Sequence, residues 1–234
     1  MGNHSIFIDM LIGLIADVHS NVIALEAVLS EMDALGVEKI LHAGDIVGYN
    51  PYPNETIGLF KKRKIMSIRG NHDKALVTGD TAGFNPYAAA ALEWTGKVIT
   101  CENLGFISKL KDIETIRVED TKIVIVHGSP KDFDAYVYPE NVEPEFLTMT
   151  DSDKLVLGHT HIQFKKEFPE GIVINPGSVG QPRDLNPDSG FAILDTDTMK
   201  IQLKRKKYDI EKVIEDMQKA HLPEKLRLRL RNGT

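Results

Sequence analysis

The chain has 234 residues, 42% of them hydrophobic and 26% charged, with a net charge of −6 and one cysteine, Cys101. That size and balance fit one folded domain with a substantial core and set aside the disordered, fibrous and membrane-spanning classes. The acidic balance argues against attraction to nucleic acid by overall charge, and a lone thiol excludes an intrachain disulfide or a thiolate metal cluster. No run reaches the roughly 18 apolar residues of a membrane span, and residues 1–10 lack the pattern of a secretory signal, so a cytoplasmic protein is expected.

The first apolar run, residues 11–16, reads as a strand and delivers Asp17-Val18-His19. Residues 21–35 then carry Val22, Leu25, Val28, Leu29 and Met32 near helical spacing, and Gly36 stops that helix. A second strand, 39–43, delivers Gly44-Asp45 and a loop to Pro53 that includes Tyr49 and Asn50; a helix over 54–62 follows. The third strand, 64–68, ends in a loop with Gly70-Asn71-His72-Asp73. Such alternation implies right-handed crossovers and a mostly parallel sheet.

The middle of the chain departs from this rhythm. Asn85-Pro86 and the run 88–92 predict a helix over 85–101, with a second near 104–110. The strand 122–126 delivers His127-Gly128, an insertion over 131–152 holds a helix near 144–149, and the strand 154–157 delivers Gly158-His159-Thr160-His161. Both insertions leave from strand carboxyl ends, where they would overhang a crevice. Short strands follow at 172–175, 190–195 and 200–208, the last two a hairpin, and together they are expected to form a second sheet. A helix over 209–221 is ended by Pro223. The alternating tail Leu226-Arg227-Leu228-Arg229-Leu230-Arg231 reads as an edge strand, a helix-linked extension or, most ordinarily, a solvated tail.

Five strands delivering Asp, Asn or His at their carboxyl ends converge on one crevice of an α/β sheet. In extended chain, residues two apart point the same way, so Asp17 pairs with His19 and His159 with His161. Seven side chains, Asp17, His19, Asp45, Asn71, His127, His159 and His161, suit two divalent cations. Imidazole mixed with carboxylate favours Mn, Fe, Zn, Ni or Co over Mg or Ca. Two such ions roughly 3.5–4 Å apart clamp an in-line displacement and bring the pKa of a shared water toward neutrality. Taken singly, a histidine at a strand end is more often a structural hydrogen-bond partner, and an Asp after Gly a turn or cap. The joint arrangement outweighs those alternatives. His42, inside a strand, reads as core or as a support behind the ligands, and His4 and His221 as surface.

In this order the clusters resemble the calcineurin-like metallophosphoesterase superfamily, with its D-x-H, G-D, G-N-H-D, H-G and G-H-x-H pattern. The stretches Gly44-Asp45-Ile46-Val47-Gly48-Tyr49 and Asn175-Pro176-Gly177-Ser178-Val179-Gly180 resemble its small prokaryotic phosphodiesterase branch. The resemblance implies an α/β four-layer αββα sandwich: two mixed sheets flanked by helices, with a small helical cap. It would be one domain over 1–234, with cap insertions near 75–120 and 131–152 and a tail from 222. It also implies a first metal on Asp17, His19 and His161, a second on Asn71, His127 and His159, and Asp45 bridging them. His72 would be the general acid or electrostatic stabiliser, oriented by a hydrogen bond to Asp73.

The implied activity is phosphodiester hydrolysis through in-line attack by a metal-activated hydroxide. A phosphomonoesterase or protein phosphatase, a dinucleoside polyphosphate hydrolase and a non-catalytic scaffold are the alternatives; His72 and the full ligand set argue against the last. The substrate would be a small, nucleotide-like phosphoester contacted by Asn71, Tyr49, Asn50 and Arg183. Arg183 is read either as a bidentate phosphate ligand or as a surface partner of Asp184 in a tight turn. Arg69 is read the same two ways, toward phosphate or as a brace. The stripe Phe84, Tyr87, Ala91, Trp94 is read as cap packing, with base stacking as the minority alternative. Tail and cap helix each offer a surface for a homodimer.

Overall fold

The computed structural model describes residues 10–234, so the expectation for His4 falls outside the described residues. In chain order the elements are β1 (Leu11–Ile15), α1 (Val22–Leu35), β2 (Val37–His42), α2 (Pro53–Arg63), β3 (Met66–Ser67), α3 (Asn71–Thr78), α4 (Pro86–Val98) and α5 (Cys101–Ile107). There follow β4 (Ile113–Val118), β5 (Thr121–Val126), α6 (Glu145–Thr150), β6 (Lys154–Val156), β7 (Phe164–Phe168), β8 (Gly171–Asn175), β9 (Ser189–Asp195), β10 (Ile201–Lys206), α7 (Ile210–Lys219) and α8 (Glu224–Asn232). Local chemistry sets several of these limits. Asn21 caps α1 by accepting the Ala24 N–H, and Gly36 ends it in the left-handed conformation at φ +80°.

The strands form two mixed five-stranded sheets, ordered β10-β9-β1-β2-β3 and β4-β5-β6-β8-β7. Alternation along β1 sends Ile12 and Leu14 to one face and Ile15 to the other. Ile12, Leu14 and Leu41 meet Ile123, Ile125, Val156 and Ile174 in the layer between the sheets. Ile15, Ile40 and Ile193 face Leu25, Val28 and Met32 of α1, Phe60 of α2 and Ile107 of α5. On the far side Val124, Leu155 and Val173 pack against Phe146 and Leu147 of α6. These layers make the expected αββα sandwich. Gly13 lets α1 lie close, because a Cβ there would stand 2.7 Å from the Met32 side chain.

The late strands do not make a sheet of their own. β8 pairs with β6 and β7 in the second sheet, whereas β9 pairs antiparallel with β1 and β10 extends that first sheet. β9 is buried from Ser189 to Leu194 because both of its faces are covered. Two strands went unread in the sequence: β4, which holds one buried residue, Ile116, and β7, which is Phe-Lys-Lys-Glu-Phe. Both are edge strands, where no apolar run is required. The loop expected after Gly70 is the first turn of α3, and the second cap helix starts three residues earlier than expected, at Cys101.

The tail is a packed helix and not a solvated extension. Leu226 and Leu230, one turn apart, are buried against α4, α7 and Tyr49, while Leu228 points outward. The aromatic stripe serves the same packing: Phe84 and Trp94 border this cluster, and Tyr87 is exposed beneath the Lys225 ammonium.

Candidate metal centre

The clusters gather at one edge of the sandwich on unusual backbone. Asp17, His19, Asp45, His159 and His161 all have positive φ, between +48° and +68°. Non-glycine residues seldom adopt this conformation, which costs on the order of 1–3 kcal/mol when strained. Cross-links between the loops hold them there. Asp17 N–H donates to the Gly44 carbonyl (3.0 Å), His19 N–H to that of Asp45 (3.0 Å) and Gly158 N–H to that of His127 (2.9 Å). The stretch 175–180 serves this bracing: Gly180 N–H and the Ser178 hydroxyl both donate to the Asp17 carbonyl, so these donors are not free for an anion. Paired ligands share a side through left-handed turns and not through extended strand.

Main-chain carbonyls fix the histidine tautomers, since a carbonyl only accepts. His19 Nδ1–H donates to Val47 O (3.0 Å) and His161 Nδ1–H to Gln181 O (2.6 Å). Their Nε2 lone pairs therefore face each other at 3.1 Å, with Asp17 Oδ1 3.5 Å from His161 and 3.9 Å from His19. Likewise His127 Nδ1–H donates to Ala43 O (2.8 Å) and His159 Nε2–H to Asp134 O (3.1 Å). His127 Nε2 and His159 Nδ1 thus face each other at 3.2 Å, both within 3.2 Å of Asn71 Oδ1. Asp45 Oδ2 lies between the two groups, 3.6 Å from His19 Nε2 and 3.4 Å from His127 Nε2. The first group is buried and made of acceptors pointed at acceptors, and the second becomes so once His127 Nε2 gives up its proton; such an arrangement repels itself unless a cation sits among them. Side chains that could hold an ion gather as Asp17-His19-His161, Asp45-His127-His159 and His19-Asp45-His72, a donor chemistry that fits divalent ions.

The electrostatics agree. Burial holds His19 and His161 well below the usual imidazole range and His159 at about 3, so these rings are neutral and their lone pairs available. Burial, reinforced by Asp45, pushes Asp17 up to about 7. Burial also opposes charge on Asp45 and His127, yet their attraction prevails: Asp45 stays well below the carboxylate range and His127 rises to about 9. The pocket draws positive charge to the nitrogen where the second ion would bind.

His72 occupies the second position of α3, its N–H donating to Asp45 Oδ1 (2.8 Å). Its ring packs at 4.6 Å from those of His19 and Tyr49 and 4.9 Å from Phe84, burial lowers it to about 4, and Nδ1 has no partner among the described residues. Asp73 does not orient this ring. Neighbouring helical residues point about 100° apart, and the Asp73 carboxylate is taken up by the N–H groups of Gly70, Asp45, Ile46 and Val47.

Asn50 is likewise corrected: it is buried, and its amide donates to the His19 carbonyl (2.9 Å), bracing a ligand loop and not facing substrate. The surface pairing of Arg183 with Asp184 does not form either. Asp184 pairs with Arg205, and Arg183 donates to the Tyr49 hydroxyl and Gln181 Oε1, both at 3.1 Å. Arg69 is paired with Asp112, His42 is buried with Nδ1 on Ser67 Oγ, and His221 is exposed. A cavity of about 310 Å³ opens beside the ligands, lined by Tyr49, Asn71, His72 and His159 and by residues the sequence did not single out, including Lys74 and Tyr136. The Tyr136 ring lies 4.1 Å from that of His159 and is half exposed. Its only signal in the sequence was its place in the insertion after His127-Gly128.

Residues 10–199 match the calcineurin-like phosphoesterase superfamily domain. The chain belongs to that superfamily. Calcineurin-like phosphoesterases are metal-dependent hydrolases of phosphoric esters, and this chain carries the metal-binding arrangement to match. It is 37% identical, over 94% of its length and 97% of the relative's, to an uncharacterized protein of Methanocaldococcus jannaschii. The crystal structure of a metallophosphoesterase from Sphaerobacter thermophilus superposes with a TM-score of 0.83 at 33% identity, covering 97% of this chain and all of the other. The phosphodiesterase YfcE of Escherichia coli is 22% identical over 80% of this chain and 88% of its own. Among the described residues no helix of this phosphoesterase is long and apolar enough to cross a membrane.

Proposed function

We propose that the chain is a phosphodiesterase for small, nucleotide-like substrates, working at a dinuclear centre of Mn, Fe, Zn, Ni or Co. The observation that carries the reading is the pair of facing lone-pair groups, His19 with His161 and His127 with His159, joined by Asp45. When bound, the two ions supply charge neutralisation for the phosphoryl oxygens and an acidified water as the in-line nucleophile. Asp17, His19 and His161 would hold the first, Asn71, His127 and His159 the second, with Asp45 in reach of both groups. Arg183, anchored on Tyr49 and with its Nε unpartnered among the described residues, is the cation available to a non-bridging oxygen. His72, beside the first ligand group, is the donor for the leaving oxygen.

Diester preference is supported by the cavity. It continues past the ligands to Phe84 on the His72 side and Tyr136 on the His159 side, leaving room for a flat second arm. A cytoplasmic setting belongs to the same reading, in keeping with the exposed free thiol of Cys101. The test is hydrolysis of bis-p-nitrophenyl phosphate beside p-nitrophenyl phosphate, by metal-stripped protein reloaded separately with Mn, Ni, Co, Zn or Mg. Faster turnover of the diester is expected. A clear preference for the monoester would make it a phosphatase, and inertness toward both esters with two ions bound would refute the reading.

A further inference from the structure

Asp73 is fully buried, and its carboxylate makes no contact with the cavity. Oδ2 accepts the N–H groups of Asp45 (3.0 Å), Gly70 (3.0 Å) and Ile46 (3.2 Å), and Oδ1 those of Ile46 and Val47 (3.1 Å each). Three of these donors are consecutive residues of the loop after β2. Successive amides turned toward one point form a concave donor set that a carboxylate complements. This loop needs such an anchor, since Gly44, Asp45, Gly48 and Tyr49 take φ of +94°, +64°, +109° and +51°.

Two links lead from the anchor to the metal ligands. Holding the Asp45 N–H places that residue so that Oδ2 lies between His19 and His127. Holding the Val47 N–H places the Val47 carbonyl to receive His19 Nδ1–H, which commits the His19 Nε2 lone pair to the first group. No link of comparable directness leads from the Asp73 carboxylate to the ring of His72.

We infer that Asp73 is a positioning residue for both metal positions at once, setting the shared carboxylate of Asp45 and the tautomer of His19 through the 45–47 main chain. This rests on the dinuclear reading of the site. It is tested by calorimetric titration of manganese into stripped wild type, Asp73→Asn, Asp73→Ser and Asp73→Glu. The pH profile of kcat for bis-p-nitrophenyl phosphate is recorded at saturating manganese. Asp73→Asn turns an NH2 group toward main-chain donors and is expected to weaken manganese at both positions about 10–100-fold, the usual cost of losing a group that supports metal ligands. Asp73→Glu keeps the charge and is expected to bind as wild type. At saturating metal the alkaline limb of the Asp73→Asn profile, where a proton donor is lost, is expected to coincide with that of wild type.

Should Asp73→Asn not fold, Asp73→Ser is read in its place with the same expectation. Native affinity in the folded variant, weakening confined to one position, or an alkaline limb displaced at native affinity would overturn the inference; the last would mean action through His72 as proton donor. A wild type that binds two manganese ions and hydrolyses neither ester defeats the phosphoesterase reading alone, because the affinities are measured without turnover. A wild type that binds fewer than two defeats the dinuclear reading, and this inference with it.

Discussion

Gly70 offers a clean test of how tightly the shared ligand is held. Its backbone, at φ −99° and ψ −178°, is open to alanine, so Gly70→Ala introduces no conformational strain of its own. The added Cβ would stand 2.1 Å from Asp45 Oδ1 and 2.3 Å from Asp45 N. Ordinary contact begins near 3.4 Å, so the carboxylate must retreat by about 1.3 Å. It cannot retreat freely, because the Asp45 main chain is tied to Asp73 and to His19 N–H. Overpacking of this kind costs roughly 1–3 kcal/mol of stability, and a displacement of about 1 Å in a catalytic constellation costs on the order of 10²-fold in rate. The expected result is a folded protein with turnover of bis-p-nitrophenyl phosphate reduced about a hundredfold and weaker manganese binding, measured by stopped assays and calorimetry. Gly58→Ala is the control: it lies exposed in α2 with nothing within 4 Å of the new Cβ, and should stabilise by about 0.5–1 kcal/mol without touching activity. Two ions at native affinity and activity within twofold in Gly70→Ala would refute the claim that Asp45 is shared in the position described.

Three further outcomes are expected. His72→Ala should retain two metals, measured by elemental analysis, while kcat for the diester falls by about 10²–10⁴-fold as a proton donor is lost. Adding manganese at about a hundred times its Kd to stripped protein should raise stability by about 2.7 kcal/mol per site in denaturant titrations; no change would mean that the ligand groups do not bind it. Leu230→Ala, at a side chain 1% exposed in α8, should cost about 2–5 kcal/mol, where a solvated tail would cost nothing.

The parts of this protein that were legible in the sequence are those where one residue type has one use. Apolar runs ending in Asp, Asn or His announced β1, β2, β5 and β6 with their ligands, and Asn21 and Gly36 bounded α1. The edge strands β4 and β7 were not legible, since a strand covered on one side or neither needs no apolar run. Assigning β9 to the first sheet required a pairing between residues 11–14 and 192–195, information that no local window holds. The hydrogen bond between His72 and Asp73 that the resemblance implies does not form, because helical geometry turns the two side chains apart and the Asp73 carboxylate accepts main-chain N–H groups instead. In the tail, alternation pointed toward a strand, yet a helix beginning at Glu224 buries Leu226 and Leu230 and exposes Leu228 between them.

The division of the candidate ligands between the sheets ties fold to chemistry. Asp17, His19, Asp45 and Asn71 follow strands of the first sheet, and His127, His159 and His161 follow strands of the second. Each ligand group draws on both: His161 joins Asp17 and His19, and Asn71 joins His127 and His159. Neither group exists until the sheets pack, so the apolar layer of Ile12, Leu14, Ile125 and Ile174 is also what brings the lone pairs together. The left-handed ligand residues follow from the same requirement. Continued in extended conformation, the alternation of β1 would put Asp17 and His19 on the Ile15 face, away from the second sheet, and the positive φ at both residues breaks that alternation. The bonds that hold those turns cross the interface too, as His159 N–H donates to the Asp17 carboxylate (3.1 Å) and Gly180 N–H to the Asp17 carbonyl (3.0 Å). Strain in the ligand loops is therefore carried by sheet packing, and a bound cation would strengthen the same interface from the edge.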